Sequence, residues 1–111
     1  MRKLCVAVLL VAAAGVCATQ ALAASRSVKI GDDYFVRKGS TPTITVRKGT
    51  TVTWRWTGKD LHNIAVTSGP ATFRSSYKRS GTYSRTVRRA GTYTIVCTVH
   101  SGMKMKLRVT R

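Results

Sequence analysis

From Ser27 to Thr110 the chain is a succession of short β-branched and aromatic runs, most of them cut off by a turn containing glycine or proline. No stretch of that span repeats its apolar residues at helical spacing. Where a run is long enough to judge, apolar and polar residues alternate. Val52, Trp54 and Trp56 oppose Thr53 and Arg55, and Met105, Leu107 and Val109 oppose Lys106 and Arg108. A period of two sends successive side chains to opposite faces of a strand, so each run has one face for a core. Many short strands at this spacing make an all-β sandwich or barrel. The predicted strands are 27–30, continued by 34–36 after the turn Gly31-Asp32-Asp33, then 43–46, 52–56, 62–66, 82–87, 91–97 and 105–110. Residues 82–87 and 91–97 read as a hairpin turning at 88–91. Residues 69–80 read as a polar, exposed flap with room for a helical turn. Both tryptophans are expected in the core, where each brings a large apolar area to a small domain.

One stretch carries chemistry. Cys97-Thr98-Val99-His100-Ser101-Gly102-Met103 sets a thiolate, an imidazole and a thioether within seven residues. The remaining histidine, His62, lies on another predicted strand, beside Ile64 and Val66 on the inward face. Two imidazoles, a thiolate and a weak axial thioether form the donor set of a mononuclear copper electron-transfer site. A Cys-x-x-His pair also arises by chance, and a buried cysteine is most often a small hydrophobe. A structural zinc site would be closed by four Cys or His ligands. Here there are three, and the fourth donor is a soft thioether, which favours copper.

Residues 1–24 read as a secretory signal peptide: Arg2 and Lys3, an apolar run from Leu4 to Cys17, then the small-residue site Ala21-Leu22-Ala23. The apolar run is shorter than the ~20 residues a bilayer requires, so no membrane span is expected in the mature chain. Cleavage is expected after Ala23 or Ala24, leaving residues 25–111 as one domain. Cleavage removes Cys5 and Cys17 and leaves Cys97 alone, without a disulfide partner. A free thiol outside the cytoplasm is prone to oxidation, and a metal bond would protect it. Loss of Arg2 and Lys3 takes the formal charge from +17 to +15, against which stand only Asp32, Asp33 and Asp60. In the cytosol such a balance would suggest nucleic acid. In an exported protein it favours an acidic protein partner or an anionic cell surface, or serves only to keep the molecule in solution.

With these residues in view, the chain resembles the cupredoxins, the type 1 blue copper proteins, and within them the plastocyanin and amicyanin branch. The matching pieces are Thr43-Ile44-Thr45-Val46-Arg47-Lys48-Gly49, Thr51-Val52-Thr53-Trp54, His62-Asn63-Ile64, Gly91-Thr92-Tyr93 and the Cys97, His100, Met103 loop. The resemblance implies a Greek-key β-sandwich of seven or eight strands with one copper ion at one end. It implies His62, Cys97 and His100 as strong ligands and Met103 as the axial one, with Asn63 tying the two copper loops together. The spacing of His100 and Met103 looks like amicyanin. Met105 stands at the spacing of plastocyanins and is the competing axial candidate. Two departures stand out: Val99 replaces a proline that relatives often carry, and the acidic docking patch of many plastocyanins is missing. The valine N–H is expected to be free to bond the cysteine sulfur.

The function these observations imply is that of a small, exported, monomeric one-electron carrier, periplasmic or at the cell surface. It would cycle copper between Cu(II) and Cu(I) and exchange electrons with redox partner proteins that carry an acidic docking surface, with no nucleic acid involved. No nucleophile triad or acid–base pair is visible, so it is not read as an enzyme. The alternatives are an extracytoplasmic copper storage or delivery protein and a module that binds through its charge alone.

Overall fold

The computed structural model describes residues 24–111. The expected signal peptide falls almost wholly on residues 1–23, outside the described residues. Eight strands form two sheets: β1 (Ser25–Gly31), β2 (Tyr34–Phe35), β3 (Thr43–Arg47), β4 (Thr51–Trp56), β5 (Ala65–Ser68), β6 (Gly81–Thr86), β7 (Gly91–Val96) and β8 (Lys104–Thr110). One sheet has the order β2-β1-β4-β6 and the other β3-β8-β7-β5. Among the described residues there is no helix. The expected all-β Greek-key sandwich is therefore what forms.

The alternation read from sequence is the alternation of burial. On β4 Val52, Trp54 and Trp56 are buried; on β8 Met105, Leu107 and Val109 are buried while Lys104, Lys106 and Arg108 face out. These side chains meet Val28, Ile30, Ile44, Val46, Tyr93 and Ile95 in one core between the sheets. Full burial of each aliphatic side chain contributes roughly 1.5–3 kcal/mol of hydrophobic stabilisation. Trp54 is fully buried, and its ring centroid lies 5.9 Å from that of Phe73 and 6.0 Å from that of Tyr83.

Four expectations change. Residues 34–36 do not continue β1 but turn back on it, Ile30 pairing Phe35 in antiparallel register. The expected hairpin of 82–87 with 91–97 does not form: β6 pairs β4, whereas β7 pairs β8 and β5, in the opposite sheet. Backbone bonds hold the end of β6 to its own sheet, Val87 N–H to the Thr50 carbonyl at 2.9 Å and Gly49 N–H to the Val87 carbonyl at 2.7 Å. The chain then arches across, reaching β7 through Gly91 at φ +142°, where a Cβ would press on the Pro70 ring.

The strand expected from His62 begins only at Ala65, and residues 62–65 are all buried, not alternating. They are enclosed because 69–80, most of it exposed as expected, lies against them and forms neither a free flap nor a helical turn. That segment runs alongside in extended form, with bonds between His62 and Lys78 in both directions at 2.9 Å and from Ser75 N–H to the Ile64 carbonyl at 2.9 Å. Phe73 and Ser75 are buried by it.

Candidate metal centre

Tyr93, Ile95 and Cys97 lie on the inward face of β7 and its extension, and Cys97 is buried. The loop that follows is drawn shut by two backbone bonds, Cys97 N–H to the Met103 carbonyl at 3.0 Å and Met103 N–H to the His100 carbonyl at 3.3 Å. Gly102, at φ +82°, makes the left-handed step that so tight a return needs. Closure brings the His100 ring back over Cys97 and buries Met103 at the loop's end.

His62 arrives from the other side. Its backbone is pinned twice, by Lys78 and by Trp56 Nε1–H donating to the His62 carbonyl at 3.1 Å. Asn63 Oδ1 accepts from Thr98 N–H at 2.8 Å and from the Thr98 hydroxyl at 3.1 Å, which ties the two loops together as the resemblance implies. Tyr77 extends this link to the surface, its hydroxyl 3.1 Å from Thr98 Oγ1.

His62 Nδ1, His100 Nδ1 and Cys97 Sγ face one another in a triangle with edges of 3.1 Å between the nitrogens and 3.8 and 3.7 Å to the sulfur. Bonds of about 2.0 Å to nitrogen and about 2.3 Å to sulfur fit a metal ion inside such a triangle. The three residues thus form a group that could hold one. The side chain of His62 is 1 % exposed and that of His100 26 %, so only His100 presents an edge to solvent. Met105 is fully buried and its sulfur accepts Trp54 Nε1–H at 3.5 Å. The polar contacts of Cys97 Sγ are the two imidazole nitrogens; the expected bond from Val99 N–H is not among them.

Sequence reasoning passed over Asp32 and Asp33 as turn residues. Asp32 Oδ1 lies 3.0 Å from His62 Nε2, and Asp33 Oδ1 lies 3.2 Å from His100 Nε2. The Asp32 carboxyl is lowered to about 2, first by its bond with His62 and then by the N–H groups of Asp60 and Lys59. A signal was present: in a chain with twenty basic residues and three acidic ones, two of the three are adjacent.

A sandwich that brings two imidazole nitrogens and a thiolate face to face is the architecture of a mononuclear metalloprotein with nitrogen and sulfur donors. Residues 25–110 match the family of copper binding proteins described as plastocyanin/azurin. Amicyanin-alpha of Methylorubrum extorquens is 34% identical over 92 residues, covering 79% of this chain and 74% of that protein. Among solved structures, an oxidized amicyanin variant superposes with a TM-score of 0.61 at 30% identity, over 78% of this chain and 81% of its own. The Cu(I) form of another amicyanin variant gives 0.62 at 28%, over 81% and 86%. A copper-containing nitrite reductase of Thermus scotoductus gives 0.65 at 23%, but this chain spans only 24% of that enzyme, and the likeness is one of fold. The chain belongs to the plastocyanin/azurin family of copper-binding proteins, the cupredoxins. The family binds one copper ion, and His62, Cys97 and His100 form the group that could hold it here.

Proposed function

We propose that this protein is an exported one-electron carrier in which His62 Nδ1, His100 Nδ1 and Cys97 Sγ, together with Met103, would hold the copper ion. When bound, copper supplies a single electron by alternating between Cu(II) and Cu(I). The observation that carries the reading is the triangle of two imidazole nitrogens and a thiolate, held by hydrogen bonds within the protein itself. The Asn63–Thr98 tie and the Cys97–Met103 closure hold the ligands in position. A rigid site suits a carrier, since both oxidation states must be served with little movement.

His100 gives the electron its route, because its ring reaches solvent while that of His62 does not. Val99, 45% exposed, is its near neighbour in the chain, and Tyr77, 54% exposed, is joined to the same loop through Thr98. This apolar fringe would meet a redox partner whose acidic surface answers the charge of the domain. The expected signal peptide, and the single cysteine its removal would leave, support a periplasmic or cell-surface location. The reading is of a carrier and not an enzyme, and of one monomer per copper.

Adding Cu(II) to the purified protein tests it. An intense visible band from thiolate to copper should appear at one equivalent, bleach on reduction and return on oxidation. Cys97→Ala should remain colourless. A protein that stays colourless with Cys97 intact would sink the assignment, and a copper ion handed rapidly to a competing chelator would favour delivery over electron transfer.

A further inference from the structure

We propose that Asp32 and Asp33 are the positioning residues of the copper centre: each holds the outer nitrogen of one histidine, turning Nδ1 inward and favouring oxidised copper. This rests on the ligand assignment proposed above. The two Nδ1 atoms converge, and the two Nε2 atoms point apart, each to its own carboxylate, at 3.0 Å for Asp32 and 3.2 Å for Asp33. An imidazole that offers the lone pair of Nδ1 must carry its proton on Nε2. A carboxylate facing Nε2 selects that tautomer, fixes the ring plane and makes the ring a stronger donor.

The carboxylate of Asp32 is held in place beforehand. It accepts Lys59 N–H at 3.1 Å and Asp60 N–H at 2.9 Å, besides facing His62. Gly58 leaves room for it, since a Cβ at that position would overlap the carboxylate. The remaining acidic residue, Asp60, lies in a group with Asp33 and His100. Every carboxylate side chain of a strongly basic protein is therefore gathered around two histidines. Coulomb attraction grows with the charge of the ion, so negative charge here favours Cu(II) over Cu(I). Asp32 has the larger effect, because its side chain is 38% exposed against 66% for Asp33, and water screens Asp33 more.

The test is the reduction potential of the copper-loaded protein, with Cu(II) and Cu(I) affinities measured by chelator competition, for wild type, Asp32→Asn, Asp33→Asn and Gly58→Ala. Asparagine keeps an acceptor for Nε2–H and drops the charge; Gly58→Ala keeps the charge and displaces it. Asp32→Asn should weaken Cu(II) binding by about 10–100-fold and Cu(I) binding less. Each tenfold difference between the two losses raises the potential by about 59 mV. Asp33→Asn should act in the same direction and less, and Gly58→Ala should follow Asp32→Asn. Potentials unchanged in all three variants, with only a lowered Tm, would make Asp32 a plain tether of its turn and overturn the proposal. A wild type without the thiolate band would overturn it through the ligand assignment instead.

Discussion

Met103 and Met105 flank the first residue of β8, and both are buried, but their surroundings assign them different work. Met105 shares the core face of β8 with Leu107 and Val109, and its sulfur already takes the indole N–H of Trp54. Met103 closes the ligand loop, its carbonyl bonded to Cys97 N–H. Met103→Gln should shift both the copper spectrum and the potential, whereas Met105→Leu should leave the spectrum alone and cost less than about 1.5 kcal/mol in denaturant unfolding. A spectrum that follows Met105 would move the proposed ligand role from Met103 to Met105. Asn63 is the other telling residue, since its Oδ1 accepts both polar hydrogens of Thr98. Asn63→Ala leaves Thr98 N–H without that acceptor and should cost about 1–3 kcal/mol. It should also loosen the loop enough to broaden the copper signal in electron paramagnetic resonance.

Among the elements, the arch from β6 to β7 decides whether Cys97 reaches the site. β7 delivers the thiol from the inward face of its sheet, so β7 must lie between β5 and β8 and cannot fold back on β6. Gly91 makes that crossing with a left-handed backbone tight against Pro70. Gly91→Ala combines an unfavourable φ with a clash and should destabilise the fold by about 1–3 kcal/mol, read as a lower urea midpoint at unchanged slope. An unaltered midpoint would mean that the arch has slack.

For the whole molecule, charge and metal are the two levers. The formal charge of +17, or +15 if Arg2 and Lys3 are removed with an expected signal peptide, sets up a field that should speed encounter with an acidic partner. The association rate measured by stopped flow should fall steeply as salt rises; a flat response would leave the charge to keep the molecule in solution. Copper bound only by the folded protein should raise the unfolding free energy by about 2.7 kcal/mol when free copper exceeds the dissociation constant a hundredfold. Calorimetry of apo and copper-loaded protein checks this, and Cys97→Ala should lose the larger part of the gain.

The sequence by itself determined which residues face the core and which donors are on offer. A period of two is a local property, legible on Val52, Trp54 and Trp56 without knowing any partner strand. The soft sulfur donors of Cys97 and Met103, with the imidazole of His100 between them, are likewise written in residue identity and spacing. Tertiary structure alone decided what depends on distant neighbours. Whether 82–87 and 91–97 pair with each other or with strands of two different sheets is settled by backbone bonds to Thr50 and Gly49, which the turn residues do not announce. Residues 62–64 lose their strand alternation because the segment around Phe73 and Lys78 covers them. Asp32 stands 30 residues before the histidine it faces, and only the folding of one turn against another brings carboxylate and imidazole to 3.0 Å. Local chemistry puts the donors on offer, and long-range packing decides which groups stand against them.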